Sequence, residues 1–371
     1  MNPNESGDRL SRLCSPAVRK LHGYVPGEQP QGSGWVKLNT NECPYPPSDA
    51  VLDAIKGAAD EGLRRYPDPE ATALRASIAT AHDLTQDHVF VGNGSDEVLA
   101  LAFMAFLRQD KPILFPDVTY SFYPVYCDLF GVAHETVPLD DAFGLRVSDY
   151  ARPNGGIVFP NPNAPTGRAL SLADVRRLLE SNRSSVVIVD EAYVEFGADS
   201  AASLIGEFEQ LLVVRTLSKS HALAGLRVGF AMGQPSLIEA LRLVKDSFNS
   251  YPLDRLAQAG AMAAIEDKAY FADVCRKVME SRSWLVAALN SLGFDCVPSM
   301  ANFILASHAK RPAAALLADL RDRRILVRHL SHPRVSNHLR ISVGTQAECE
   351  QLVNALNDIL QKEQAGMKAG R

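Results

Sequence analysis

The chain has 371 residues, of which 46% are hydrophobic and 22% charged, with a formal net charge of −5. That is the make-up of a soluble globular protein long enough for about two domains. The acidic balance gives no support for a nucleic-acid or membrane-surface role, and the apolar run 98–107 is about half the length a membrane span needs.

In chain order, residues 1–12 are polar and mixed in charge. They lack the apolar centre of a signal peptide, so a cytoplasmic location is expected. Residues up to about 40 look irregular, with Gly and Pro frequent from Gly23 to Gly34. From Asp49 on, helical patterns alternate with short apolar runs at 89–91, 113–115, 156–159, 186–189 and 211–215. These runs lack polar alternation, as strands buried on both faces of a mostly parallel sheet do. After Pro252 the pattern changes to a long helical stretch, 253–292, broken near Asp267. Short strands are predicted at 301–306, 325–328 and 338–343, then a last helix over 346–361 and a frayed tail. The expected fold is α/β: a large domain (49–252) with a mostly parallel central sheet flanked by helices, and a smaller α+β domain (253–371). Segment 1–48 is expected to pack on the smaller domain.

The six cysteines, Cys14, Cys43, Cys127, Cys275, Cys296 and Cys349, form no C-x-x-C pair, and the nine histidines show no metal-ligand spacing. Free thiols and no metal site are expected.

Four clusters fall just after predicted strands, where open α/β sheets bind ligands. Gly92-Asn93-Gly94-Ser95-Asp96-Glu97 is a strand-to-helix turn whose first amides can hold an anion. Asn161-Pro162-Asn163-Ala164-Pro165-Thr166-Gly167 is a loop stiffened by prolines. Asp190-Glu191-Ala192-Tyr193 offers a carboxylate and a phenol at a strand end. Ser218-Lys219-Ser220, with Arg227 eight residues after the lysine, places an amine among hydroxyls and a guanidinium. A partly desolvated lysine near positive charge loses its proton and can form an imine with an aldehyde. Hydroxyls and a guanidinium hold phosphate. An aldehyde and a phosphate on one molecule is pyridoxal 5'-phosphate. Asp190 could then pair with a protonated pyridine nitrogen and keep the ring an electron sink. Each cluster alone also fits a capped turn or a strand-end ion pair; their order gives the reading its strength.

With these residues, the chain resembles the fold-type I, aspartate-aminotransferase-like enzymes, and within them the histidinol-phosphate aminotransferase family. The resemblance runs from Tyr24 to about Asn357. It rests on Tyr24-Val25-Pro26-Gly27, Leu38-Asn39-Thr40-Asn41-Glu42, Arg65-Tyr66-Pro67-Asp68, Gly94-Ser95-Asp96-Glu97, Thr119-Tyr120, Asn163-Ala164-Pro165-Thr166-Gly167, Asp190-Glu191-Ala192-Tyr193, Ser218-Lys219 and the run from His338 to Gly344.

The resemblance implies that Lys219 holds the cofactor and shuttles the proton, Asp190 pairs with the ring nitrogen and Tyr193 bonds the phenolic oxygen. It implies that Tyr120 stacks on the ring, and that Ser95, Asp96, Ser218 and Arg227 bind its phosphate. Tyr66 is implied to reach the phosphate on a neighbouring subunit, which makes the protein a homodimer with shared sites. Arg340 is implied to bind the substrate carboxylate, with Arg328, Tyr24 and Asn41 also on the substrate side. Many family members have Asn immediately before Pro-Thr-Gly; here the position is Ala164. Asn163, with Asn161 as the other candidate, is expected to supply the missing contact to the phenolic oxygen.

The activity implied is transamination between glutamate and imidazole acetol phosphate in histidine synthesis. Aromatic amino acids with the same chemistry, or decarboxylation of threonine phosphate, are the competing readings. An aminotransferase-like transcription regulator is disfavoured by the acidic charge and the lack of a helix-turn-helix pattern before the fold.

Overall fold

The computed structural model describes residues 13–369, without the side chains of Lys20 and residues 362–369. The chain first extends through β1 (Val36–Lys37) and helices α1 (Asp49–Ala58) and α2 (Thr72–Ala81). It then builds β2 (Val89–Asn93), α3 (Gly94–Phe106), β3 (Ile113–Pro116), α4 (Phe122–Phe130), β4 (His134–Val137) and β5 (Ile157–Pro160). Next come α5 (Leu172–Glu180), β6 (Val187–Asp190), β7 (Leu211–Thr216), β8 (Val228–Gly233) and α6 (Pro235–Asp246). Strands β2 to β8 form a seven-stranded sheet in the order β2-β8-β7-β6-β5-β3-β4. Only β8 runs against its neighbours, pairing antiparallel with both β2 and β7.

The continuous apolar strands have the burial expected of a sheet covered twice. Along β6, Val187 and Val189 enter one core with Leu74, Val175 and Leu178, while Ile188 enters another with Leu99, Phe103 and Tyr126. Val213 of β7 follows the first core and Leu212 and Val214 the second, the period-two alternation of a strand.

Beyond the sheet, the helical stretch expected over 253–292 with a break near Asp267 is two helices, α7 (Arg255–Glu266) and α8 (Lys268–Ser291). The break falls at Asp267, whose Oδ1 accepts the Tyr270 N–H at 3.2 Å and caps α8. Leu253, Ala257, Ala261 and Ala264 bury themselves in the core shared with the large sheet. Residues 253–266 therefore pack with the large α/β part, not with the smaller one as expected, because the small side chains of α7 let it approach closely. The smaller part contains β9 (Phe294–Val297), β10 (Phe303–His308), α9 (Ala313–Asp322), β11 (Ile325–Leu326), β12 (Arg328–His329), β13 (His338–Ser342) and α10 (Gln346–Ala369). Four of its strands form an antiparallel sheet in the order β12-β13-β10-β9. β1 pairs parallel with β11, which ties the N-terminal segment to the smaller part. The last helix reaches Ala369, past the expected end, and Gly370 and Arg371 lie outside the described residues, as does segment 1–12.

Candidate active site

Strands β2, β3, β5, β6 and β7 share one direction, so their carboxyl ends open on one edge of the sheet. The loops leaving β2, β3, β6 and β7 meet there with the N-terminal segment, β12 and β13 around a cavity of about 320 Å³. Tyr24, Asn41, Ser95, Asp96, Tyr120, Asp190, Tyr193, Ser218, Lys219, Arg227, Arg328 and Arg340 all line it. Residues more than 300 positions apart are thus brought into one site. Among the described residues there is no cluster able to hold a metal ion, and no helix long and apolar enough to cross a membrane.

Lys219 sits in the turn between β7 and β8, which doubles the chain back so that Leu217 N–H bonds Val228 O at 3.0 Å. Its Nζ donates to Thr40 O at 3.3 Å. Burial first, and the Arg340 charge second, push its pKa down to about 8. A sizeable fraction of the amine is therefore neutral near physiological pH.

Asp190 ends β6 and is 4% exposed. Its Oδ2 accepts from Tyr123 OH at 3.1 Å and its Oδ1 from the Ala192 N–H at 3.2 Å. Burial raises its pKa to about 7 against the effect of these donors. No basic side chain forms a salt bridge with it among the described residues, so the site supplies a carboxylate without its cation. A pyridinium N–H fits that need. The next residue, Glu191, points away from the cavity to Arg215 Nε at 3.2 Å.

At the other end of the cavity, Arg227 Nη2 pairs with Asp96 Oδ2 at 3.1 Å and its Nη1 approaches Ser218 Oγ at 3.5 Å. Tyr120 OH donates to Asp96 Oδ1 at 2.8 Å. The turn needs its glycines: Gly94 has φ +76°, and a Cβ there would lie 2.4 Å from Arg227 Nη2. A Cβ on Gly229 would lie 2.3 Å from Ser95 N. The first amides of α3, Ser218 Oγ and the guanidinium are groups that could together hold a phosphate.

Arg340, on β13, donates through Nη2 to Asn39 O at 2.9 Å, while its buried Nε–H has no partner among the described residues. A buried, unsatisfied guanidinium N–H is costly unless an anion completes it. Arg328 beside it is held by the carbonyls of Pro26 and Val25 at 3.3 and 3.1 Å. Tyr24 packs on Phe122 with ring centroids 4.5 Å apart.

The structure bears on three sequence expectations. The Asn163 amide donates to Val118 O at 2.9 Å and Thr166 Oγ1 at 3.0 Å, and its Oδ1 accepts from Thr119 Oγ1 at 3.3 Å. It is spent inside the loop, and Ala164 faces the cavity in its place. Asn161 is likewise used up on Leu170. Asn41 lines the cavity, and each of its polar groups already has a partner in the protein. Its Nδ2 donates to Tyr193 OH at 3.1 Å, its N–H to Ser342 Oγ at 2.8 Å, and its Oδ1 accepts from Ser342 at 3.0 Å. Asn41 is a holder of Tyr193. Tyr66 lies away from this chain's own cavity, 81% exposed and stacked on Tyr251 at 4.6 Å.

The sequence reading missed Tyr123, one helical turn after Tyr120 and bonded to Asp190, and it assigned no role to Thr40 or Glu42. The helical spacing from Tyr120 would have pointed to Tyr123. Nothing in the sequence shows that Thr40 O meets Lys219.

The profile of aminotransferase class I and II matches residues 33–356. The chain belongs to that family. Among class I and II aminotransferases it is 60% identical to histidinol-phosphate aminotransferase 2 of Thiobacillus denitrificans, over 93% of this chain and 97% of that one. It is 58% identical to histidinol-phosphate aminotransferase 1 of Methylococcus capsulatus, over 95% and 98% respectively. The crystal structure of histidinol-phosphate aminotransferase from Sinorhizobium meliloti, in complex with pyridoxal-5'-phosphate, has the same fold. It matches with a TM-score of 0.84 at 24% identity, over 94% of this chain and 98% of that one.

Proposed function

We infer that the protein is a pyridoxal-phosphate-dependent aminotransferase interconverting L-histidinol phosphate plus 2-oxoglutarate and imidazole acetol phosphate plus L-glutamate, in histidine biosynthesis. The observation that carries this is 60% identity to a histidinol-phosphate aminotransferase over 93% of the chain. Relatives of this closeness do not favour the aromatic or decarboxylase readings.

Bound pyridoxal phosphate supplies the carbonyl carbon that exchanges amino groups and a ring that draws electrons from the substrate's amino-bearing carbon. Lys219 Nζ would hold that carbon and, once freed, move the proton between the substrate Cα and the cofactor C4′. Its lowered pKa suits the task, because a general base works best with a pKa near the working pH. Asp190 would pair with the ring N–H, oriented by Tyr123. Tyr193, fixed by Asn41, would donate to the phenolic oxygen; with Ala164 in the loop, no asparagine shares that work. Tyr120 would cover one ring face. The amides of Ser95 and Asp96, with Ser218 and Arg227, would hold the phosphate. Arg340 would grip the carboxylate of glutamate or the phosphate of histidinol phosphate, with Arg328 and Tyr24 beside it.

The exposed Tyr66 supports a homodimer in which this residue reaches the neighbouring subunit's cofactor phosphate. A cytoplasmic location suits a biosynthetic enzyme of this composition. The test is a single-turnover absorbance experiment on cofactor-loaded protein. L-Histidinol phosphate alone should shift the cofactor band, and 2-oxoglutarate should restore it, with phenylalanine much slower. A preference for phenylalanine would overturn the substrate assignment and leave the cofactor intact.

A further inference from the structure

The cavity holds three carboxylates, and two are already engaged. Asp96 is bonded to Tyr120 and Arg227. Asp190 is bonded to Tyr123 and the Ala192 amide. The third is Glu42, on the N-terminal segment that also brings Tyr24 to the site. Its Oε2 accepts from Thr40 Oγ1 at 2.8 Å and is paired with Lys37. Its Oε1 makes no hydrogen bond among the described residues, and the side chain is 41% exposed. One oxygen is pinned and the other is free in a cavity-lining side chain. Thr40, which bonds Glu42, also accepts from Lys219 Nζ through its carbonyl at 3.3 Å, and all three residues line the same cavity. The carboxylate therefore belongs to the wall of the cavity that holds the lysine.

On histidinol phosphate that carbon bears three groups of different chemistry. The amine must face Lys219, and the phosphate arm needs Arg340 and Arg328. The imidazole hangs one methylene away and, when neutral, carries one N–H donor. Among the cavity's carboxylates, Glu42 Oε1 is the acceptor left for it.

We propose that Glu42 is a specificity-determining residue, whose free Oε1 accepts the ring N–H of the imidazole substrate. The inference rests on the proposed substrate. A phenyl ring would leave the carboxylate facing an apolar edge. A site built to bond an N–H rejects analogues lacking it far more strongly than an apolar pocket rejects a change of shape. Thr40 and Lys37 act as its positioning residues by fixing Oε2.

The test uses cofactor-loaded wild type, Glu42→Leu and Glu42→Gln, each taken through single-turnover half-reactions with L-histidinol phosphate and separately with L-glutamate, which has no ring. In Glu42→Leu the ratio of kcat/KM for histidinol phosphate to that for glutamate should fall about 10–100-fold, the weight of one hydrogen bond to a charged group. Glu42→Gln keeps a carbonyl acceptor and should recover part of that ratio. Equal falls with both substrates in Glu42→Leu would overturn the proposal and make Glu42 a modulator of Lys219. If Glu42→Leu loses cofactor binding, Glu42→Ala, which also lacks an acceptor, takes its place, and an unchanged ratio there overturns the proposal. Failure of the wild type with histidinol phosphate would instead remove the substrate assignment and this inference with it.

Discussion

The chemistry of single residues here is set by where burial puts them. Lys219 would be an ordinary surface cation with a pKa of 10.5, but burial and Arg340 bring it to about 8. The sign is fixed: capture of an aldehyde needs the neutral amine, so cofactor-free protein should take up pyridoxal phosphate faster as pH rises through about 8. Below pH 7 the rate should fall about tenfold per unit. Stopped-flow absorbance against pH measures this, and a rate that keeps rising about tenfold per unit well above pH 9, with no bend near 8, would show the lysine to be unperturbed. Arg340→Gln should move the midpoint upward, since a repelling charge is removed. Lys219→Ala should keep the fold, seen by circular dichroism, and lose transamination; turnover in that variant would end the mechanism. Asp190 shows the complementary case: burial makes its ionisation expensive until a cation arrives. Asp190→Asn should weaken cofactor affinity at least tenfold, in line with removal of one partner from a buried charge pair, measured by titrating cofactor into apoprotein.

Among the elements, the reversal of β8 matters most. Because β7 turns back through Lys219 into β8, Arg227 arrives beside the start of α3, where it pairs with Asp96. The close packing of β8 on the β2–α3 turn makes this possible. Gly229 can have no side chain there, since a Cβ would meet Gly94 C and Ser95 N at 2.3 Å. Gly229→Ala should therefore cost about 1–3 kcal/mol of stability by overpacking. It should also weaken phosphate-dependent cofactor binding, because the atoms it displaces are among those that could hold the phosphate. Thermal unfolding together with cofactor titration tests both effects. A variant of normal stability and affinity would show that the turn can shift freely.

The whole molecule places the site between parts that no single element could provide. The N-terminal segment is fixed by β1–β11 pairing and by Asn41, whose carbonyl accepts from Asn302 at 3.0 Å. Arg334, from the smaller part, reaches across to Asp117 at 2.9 Å and to the carbonyls of Leu139 and Asp140. The cavity floor thus belongs to the large sheet, and its roof to the smaller one. Beyond one chain, Tyr66 and Tyr251 form an exposed aromatic pair, with Leu63 and Phe248 also exposed. Tyr66→Phe should reduce cofactor affinity about 10–100-fold, the weight of one hydrogen bond to a charged group, in a protein that sediments as a dimer. A strictly monomeric protein at working concentration would remove that role.

The sequence by itself determined the fold class and most of the elements, but not β4, β8 or β9. Strands such as Val187–Asp190 are legible because burial on both faces demands an unbroken apolar run. Asp267 is legible as a helix break because an aspartate can cap the start of the next helix. The position of Lys219 and Asp190 at strand ends could also be read directly, since strand ends are local features. Only the tertiary structure decided which way each side chain faces. Asn163 and Ala164 are neighbours, yet hydrogen bonds to Val118 and Thr166 take the first into the loop and leave the second in the cavity. Asn41 looked free until Ser342 and Tyr193, far along the chain, engaged it. Glu42 joined the wall of the cavity that holds Lys219 only once folding brought Thr40 O onto the lysine. Local pattern fixes which groups exist and on which element; long-range packing alone fixes which of their hydrogen bonds are already used and which remain for a ligand.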